Sequence, residues 1–337
     1  MKKTLALITL ISISTSCTHV HSTDALAEET KPILDRLQPI PLDSGFRQDG
    51  YFVWCGSMIR VGDRYHLFAS RWPEGTGDPD DLVGVLDGYR KYSEIVRATS
   101  DNPMGPFHFE EVVLAGRGGN YWDGQSCHGP KIVKIKDRFI LYYQAIACDS
   151  RLRKIGYAWA DSIEGPWHRC DHEIPLTEDA NNPAPYIRED GSVVLAFRNR
   201  RLVMYVAEAD AFDGDYKIIA DNIFSGGKIE DPDLFCADGK YHMVMNDVHG
   251  AISGTIRNGG HLVSEDAITW EPYKHPRAYS HELVWADGTS WTATRRERPD
   301  FFNDRTGVKG NGQPTHLITG VLHDGQSWCV VQEIAPE

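Results

Sequence analysis

Three carboxylic acids stand at the heads of two short segments of the chain: Glu230 and Asp231 in Glu230-Asp231-Pro232-Asp233, and Glu297 in Glu297-Arg298-Pro299-Asp300. Crowded carboxyls repel each other's charge, which raises one pKa and leaves a proton donor near neutral pH while its neighbour stays ionised. Arg298 is placed to hold the ionised partner. That is the equipment for breaking a glycosidic bond, where one carboxylic acid protonates the leaving oxygen and a second group activates water or attacks carbon. Asp123 and Asp49 are further carboxyls close to related segments, and His128 is a candidate acid, base or ligand to a central ion or water. A plainer reading also exists. Glu230 and Glu297 would then bridge to Arg296 or Arg298, Asn182 would cap a turn beside Pro183, and Trp54 would be core.

What favours chemistry is that these residues recur at one place in a repeat. Strand signals fill the chain from Phe52 onward, as short β-branched and aromatic runs split by Gly-Asp, Asp-Gly and Lys-Asp turns. Five runs open alike: Trp54-Cys55-Gly56-Ser57, Cys127-His128-Gly129-Pro130, Asn181-Asn182-Pro183-Ala184, Glu230-Asp231-Pro232-Asp233 and Glu297-Arg298-Pro299-Asp300. Each leads through a turn into a second apolar run that ends on a polar residue: Ser70, Gln144, Arg198, Asn246 or Thr319. A third layer repeats too, from Ala98-Thr99-Ser100-Asp101 to Gly105-Pro106-Phe107 and from Ala158-Trp159-Ala160-Asp161 to Gly165-Pro166-Trp167, with weaker copies at Ala207–Asp210 and Ser264–Asp266.

Radially repeated sheets of this kind describe an all-β, five-bladed β-propeller. A jelly-roll or two packed sandwiches would supply as many strands without repeating position inside each unit. In a blade the innermost strand begins at the funnel face and the second returns to it. The expected central ring is therefore Cys55, His128, Asn182, Asp231 and Arg298. Trp54, Glu230 and Glu297 stand behind it, and Ser70, Arg71, Gln144, Arg198, Asn246 and Asp247 form the wall. Trp54, Trp72 and Trp122 offer flat apolar faces to sugar rings. The long stretch between the first two openings, with Gly75-Thr76-Gly77-Asp78-Pro79-Asp80-Asp81, is expected to form a rim insertion.

The rest of the chain sets the context. Lys2 and Lys3 precede an apolar run over Leu5–Ile13 that is too short to span a bilayer, then Ser14-Thr15-Ser16-Cys17, so residues 1–17 read as an export signal. Small residues before Cys17 also fit a lipoprotein cleavage site, with Ser14 where an aliphatic residue is usual; lipidation and simple secretion stay open. Residues 18–36 read as a linker and 37–337 as the propeller. A periplasmic or outer-membrane lipoprotein location, or secretion, follows. The formal charge of −13 disfavours nucleic acid and anionic lipid, so the membrane enters only through an anchor at Cys17; a local basic pocket for an anionic sugar remains compatible. Six cysteines remain after Cys17, which an oxidising compartment would allow to pair as disulfides; none is in a Cys-x-x-Cys pair and several lie in apolar runs, so buried free thiols are the preferred reading.

The motifs resemble known enzymes. Glu230-Asp231-Pro232 with Gly239-Lys240-Tyr241-His242, then Gly259-Gly260-His261 and Ser264, is similar to the five-bladed propeller glycoside hydrolases. So are Asn182-Pro183-Ala184-Pro185 before Asp190-Gly191-Ser192, Tyr65-His66-Leu67-Phe68 with Ser70-Arg71-Trp72, and Arg295-Arg296-Glu297-Arg298-Pro299. The resemblance is to the β-xylosidase/α-arabinofuranosidase group and to the α-neoagarooligosaccharide hydrolases. It implies a five-bladed propeller with an axial pocket and an often inverting glycosidase, and the function expected here is exo-acting. Two departures stand out: Cys55 fills the first-blade slot where xylosidase-type enzymes place an Asp base, and His128 fills the second-blade slot where they tend to place another Asp. The expected catalytic set is thus Asp231, Glu230, Glu297, His128 and Asp123. The expected sugar-binding set is Trp54, Arg71, Trp72, Gln144, Asn182, Arg198, Asn246, His261, Arg296 and Arg298. No cofactor is expected, although a structural central cation such as calcium is compatible. Two other readings stay open: a glycoside phosphorylase, with Arg296, Arg298 and His128 on phosphate, and a non-catalytic carbohydrate-binding lipoprotein.

Overall fold

The computed structural model describes residues 31–77, 86–308, 310 and 312–337. The expected export signal over 1–17, Cys17, and the expected linker up to residue 30 lie outside the described residues, as does part of the expected rim insertion. One compact unit runs from Pro32 to Glu337. Its start lies inside the segment read as linker, because Ile33 and Arg36 are buried in a short helix, α1 (Ile33–Arg36).

The strands form five blades. Blade one holds β1 (Tyr51–Val61), β2 (Arg64–Pro73), β3 (Glu94–Ser100) and β4 (His108–Leu114), with α2 (Tyr89–Tyr92) in the β2–β3 connection. Blade two holds β5 (Ser126–Ile135), β6 (Arg138–Ile146), β7 (Arg153–Ala160) and β8 (His168–Arg169). Blade three is β9 (Asn181–Ile187), β10 (Val193–Arg198), β11 (Met204–Ala209) and β12 (Lys217–Asp221). Blade four is β13 (Ile229–Ala237), β14 (Lys240–Asp247), β15 (Gly259–Ser264) and β16 (Glu271–Tyr279). A hairpin of β17 (Glu282–Val284) and β18 (Ser290–Thr292) precedes blade five: β19 (Arg295–Phe302), β20 (His316–His323) and β21 (Gln326–Glu333). Every sheet is antiparallel between chain neighbours, and the repeated third-layer motifs end β3, β7, β11 and β15.

Blade five takes its outer cover from the other end of the chain. Phe46 and Cys329 exchange backbone hydrogen bonds at 2.9 and 3.0 Å, Gln38 N–H donates to Glu333 O at 2.9 Å, and Ser44 Oγ donates to Val331 O at 2.5 Å. The N-terminal segment thus covers the edge of β21, which would otherwise present unpaired backbone groups. The apolar core lies in wedges between adjacent blades. Examples are Phe68 with Leu141 between blades one and two, Tyr142 with Leu195 between two and three, and Val206 with Met243 between three and four. Val244 with Leu317 fills the wedge between four and five, and Leu67 with Ile318 the wedge that joins five to one. Each such side chain contributes about 1.5–3 kcal/mol by burial.

One backbone feature recurs in every inner strand. Cys55, Gly129, Asn182, Asp231 and Arg298 have φ of 60, 63, 55, 57 and 60°, in the left-handed region. Around them the ladder skips: in blade four Glu230 pairs with Asn246 but the next pair is Asp233 with Val244, and in blade five Glu297 pairs with Gly320 and then Asp300 with Ile318. A bulge bends the strand and re-aims its side chains. In blades two to five the next residue is Pro130, Pro183, Pro232 or Pro299, so the skipped position has no N–H to leave unpaired.

Candidate active site

The bulges stack polar residues in layers near the propeller axis. The outermost layer is Trp54, His128, Asn181, Glu230 and Glu297, immediately before each bulge. The bulge layer is Cys55, Gly129, Asn182, Asp231 and Arg298. The expected ring was therefore out of step in blade two, where Gly129 holds the bulge position and His128 belongs with Trp54 and the two glutamates. The reason is conformational: glycine adopts positive φ without the Cβ clash, and a side-chain pattern alone does not reveal which of two neighbours takes it.

Below the bulges lies a plug. Lys131 Nζ reaches from blade two to Asp233 Oδ1 at 2.8 Å, Asp300 Oδ1 at 2.9 Å and Pro299 O at 2.8 Å. Burial opposes its charge, but the two carboxylates prevail and raise its pKa above the ordinary lysine value. Among the described residues no group of three or more His, Cys, Asp and Glu is arranged for a metal ion. The acidic pair at the centre is occupied by the lysine ammonium.

Above the plug a cavity of about 390 Å³ opens to solvent. Blades four and five supply three of its four described carboxyls. Asp231 Oδ1 accepts a very short hydrogen bond from Asn182 Nδ2 and pairs with Arg298 Nε at 3.0 Å. Burial raises its pKa to about 7; Arg298 pulls the other way, and Glu230 and Glu297 add to the rise. Arg298 Nη1 also donates to Asn182 Oδ1 at 2.6 Å, and Asn182 N–H donates to Gln144 Oε1 at 2.8 Å. Glu230 Oε2 lies 3.0 Å from Arg198 Nη2, with Arg257 Nη1 at 3.8 Å from Oε1. Glu297 is more heavily engaged. Its Oε1 meets Arg257 Nη1 at 3.1 Å and Arg295 Nε at 3.0 Å, and its Oε2 meets Arg295 Nη2 at 2.8 Å.

The opposite wall is aromatic. Trp54 lies against blade five, where a Cβ on Gly320 would come within 2.6 Å of its ring. Trp72, Tyr89 and His128 pack together, with ring centroids 5.6 Å apart for Trp72–His128 and 4.6 Å for Tyr89–His128. His128 Nδ1 is 2.9 Å from Ser93 Oγ, and its Nε2 is 3.3 Å from Cys55 Sγ. Burial, then Arg298 and Arg153, holds the imidazole neutral, and burial raises the Cys55 thiol to about 12. The pair is therefore a neutral thiol beside a neutral imidazole, not an activated nucleophile. Leu86, Asp87, Tyr89 and Arg90 of the β2–β3 connection complete the rim, so the described part of the expected insertion does line the site.

The fold is shared with solved glycoside hydrolases. The chain aligns with a family 117 glycoside hydrolase from the marine bacterium Zobellia galactanivorans at a TM-score of 0.64 and 15% identity, covering 88% of each chain. It aligns with the catalytic domain of a family 62 α-L-arabinofuranosidase from Coprinopsis cinerea at 0.62 and 12%, over 90% of this chain and 98% of that one. An endo-arabinase from Bacteroides thetaiotaomicron matches at 0.57 and 14%, over 89% and 98%. No protein-family model and no curated protein sequence matches the chain. At such identities the likeness establishes the propeller, in agreement with the resemblance read from the motifs, while residue roles rest on this chain's own geometry.

Several expected site residues sit elsewhere. Asp123 is fully buried among Arg117 (2.6 Å), Tyr143 OH (2.9 Å) and Arg169 (3.2 Å), and is not among the cavity's described lining. Arg71 is held by Glu94 and Gln48 at 2.8 Å and stacks on Tyr51 and Phe109. Arg296 projects to the other side of β19, where it binds Thr319, Ser280 O and Gln332; strand alternation turns it away from Glu297. His261 lies inside blade four, 2.9 Å from His242 Nδ1. Asn246 is buried behind Glu230 and Asp247 organises its own loop through Ile252 and Ser253 N–H groups. Gln144 and Asn182 support Asp231 from behind or below. Trp122 lines a separate cleft of about 610 Å³ on blade two, which lacks the three converging carboxylates. The described cysteines after Cys17 are free.

Sequence reasoning missed Arg153, Arg200, Arg257 and Arg295 in the lining. Arg295 had a legible signal, since it stands two residues before Glu297 on the same strand face. Arg153, Arg200 and Arg257 come from loops or strand starts whose position only the closed ring determines.

Proposed function

We propose that the protein is a glycoside hydrolase acting in the axial cavity, with Asp231 as general acid and Glu230 as the carboxylate that activates water. The observation that carries this is the convergence of Glu230, Asp231 and Glu297 on one cavity, with Asp231 raised to about 7 by burial. A carboxyl of that pKa donates a proton well near neutral pH. Both of its protein contacts fall on Oδ1, which leaves Oδ2 to carry the proton. Glu230 retains one oxygen with only a long contact to Arg257, whereas both oxygens of Glu297 are taken by arginines. Glu297 is accordingly a positioning residue for Arg257 and Arg295.

Lys131 and the prolines beneath the bulges close the cavity at its floor, and an exo mode of attack is proposed with it, to be decided by whether terminal sugars are released. Inversion of the anomeric centre rests on the family resemblance alone. Export, with or without lipid on Cys17, completes the proposal and places the enzyme where extracellular glycans are met; mass spectrometry of the native N-terminus tests it.

Oligosaccharides incubated in phosphate-free buffer test the activity, with NMR following the first anomer released. Release of a terminal sugar supports the reading, and the anomer decides the stereochemistry. Turnover only on adding inorganic phosphate would support phosphorolysis instead, which the arginines around the cavity favour as a second reading. Binding without turnover by any route would favour a carbohydrate-binding protein.

A further inference from the structure

The cavity's charge runs against that of the molecule. The chain carries a formal −13, yet the described lining contains Arg90, Arg153, Arg198, Arg200, Arg257, Arg295 and Arg298 against Asp87, Glu230, Asp231 and Glu297. Among the described residues, seven guanidinium groups face four carboxyls. A neutral sugar needs no such surplus, and crowded like charges repel in a cavity partly shielded from water.

Four of the arginines are explained by the three carboxyls of the site: Arg198, Arg257, Arg295 and Arg298 hold Glu230, Glu297 and Asp231 at 3.0, 3.1, 2.8 and 3.0 Å. Arg90 is 3.4 Å from Asp87 on the rim. Two are less well matched, on neighbouring blades two and three: Arg153 has only a long ion pair, and Arg200 has none among the described residues. Arg153 donates to Tyr89 OH at 2.9 Å, and its nearest carboxylate, Asp179, is 3.9 Å away. It is 8% exposed, and its Nε has no partner among the described residues. Arg200 is exposed in the β10–β11 connection and makes no hydrogen bond or ion pair among the described residues. Holding a guanidinium nearly buried with so little compensation costs stability, and an anion supplied by the ligand would offset that cost.

Resting on the hydrolase reading for its location, we propose that the cavity selects sugars bearing a negative charge, a uronate carboxylate or a sulfate ester, recognised by Arg200 and Arg153. Planar guanidinium groups bind the oxygens of either anion through paired, charge-assisted hydrogen bonds.

Isothermal titration calorimetry with galacturonate, glucuronate and galactose 6-sulfate, each beside its neutral hexose, tests this without requiring turnover. At low salt, about 50 mM, at least one charged sugar should bind about tenfold tighter than its neutral counterpart, and about 300 mM salt should shrink that advantage. Which arm responds distinguishes carboxylate from sulfate. Arg200→Ala should remove most of the preference, and Arg200→Glu should reverse it, with unchanged melting because the residue is exposed. Arg153→Lys, which keeps the charge but loses the planar fork, should weaken the charged ligand more than the neutral one. Equal affinity for charged and neutral sugars overturns the inference. So does binding of inorganic phosphate with no preference among the sugars, which would assign the arginines to a phosphate co-substrate. Charge preference without cleavage would sink the hydrolase reading and leave this one standing, and cleavage of neutral sugars without preference would do the reverse.

Discussion

At the scale of single residues, Asp231 is where structure and chemistry meet most directly. Asp231→Asn keeps the shape and an acceptor for Arg298 but removes the transferable proton. General acid catalysis contributes about a hundred- to ten-thousand-fold, so kcat/KM should fall by that order. Because the acid must be protonated, the wild-type rate should decline as pH rises through about 7, and this limb should vanish from the residual activity of the variant. The same group predicts a stability effect. Its folded pKa lies above the unfolded value, so between the two the native state binds more protons and stability falls as pH rises. Chemical denaturation from about pH 4 to 7 should therefore show the variant gaining on the wild type as pH increases. A constant difference across that range would contradict the raised pKa. Near-wild-type activity would remove Asp231 from the mechanism and move attention to Glu230 and Glu297.

At the scale of the element, the recurring unit is an inner strand with a left-handed bulge. Blade two alone uses glycine there, and a Cβ on Gly129 would meet nothing nearer than 3.7 Å. Space is thus available, and the cost of substitution is conformational. Asparagine, which blade three tolerates at the equivalent Asn182, visits this region more easily than a β-branched residue. Gly129→Asn should lower stability by about 1 kcal/mol or less, and Gly129→Val by about 2 kcal/mol or more, in urea unfolding. Equal losses would mean that packing, not backbone conformation, sets the glycine. The bulges were partly legible in the sequence, because proline follows four of the five bulge residues. What the pattern concealed was the blade-two register, since His128 and Gly129 both interrupt the apolar run and only a backbone angle separates their roles. The same limit applies to Arg296 and His261: Arg296 stands beside Glu297 and strand alternation turns it away, while His261 lies inside blade four, off the cavity.

At the scale of the molecule, two devices hold the ring. Lys131 joins blade two to blades four and five, and Lys131→Met would leave the acidic pair at the axis without its ammonium partner. Breaking a buried ion pair from one side costs about 3–5 kcal/mol. The variant should show a clearly lowered melting temperature, with activity lost in step because the floor beneath Asp231 rests on this plug. Unchanged melting would show that Lys131 is not a structural pin. The second device is the N-terminal segment on β21. Deleting residues 32–46 removes Ile33, Ile40 and Phe46 from the core and uncovers a strand edge, so the shortened chain should melt earlier and associate. Size-exclusion chromatography that returned a stable monomer melting like the full chain would contradict closure by this segment. Truncation after residue 290, which removes β19–β21, should abolish cooperative unfolding altogether.

The sequence by itself determined the number of blades, the first two strands of each and the cluster of Glu230, Asp231, Glu297 and Arg298, because period-two apolar runs and repeated turn residues are local properties that survive in a one-dimensional pattern. It also named Arg198 for the wall and Trp54 and Trp72 as flat faces for a sugar, and all three line the cavity. Only the tertiary structure decided which polar residues face the axis, which carboxyls are spent on structural bridges, as Asp123 is, and how many arginines converge. Those outcomes depend on ring closure, which brings residues separated by a hundred positions or more to one mouth, as with Tyr89 and Arg198. Charge and burial there are sums over all the blades, and no segment read alone contains them.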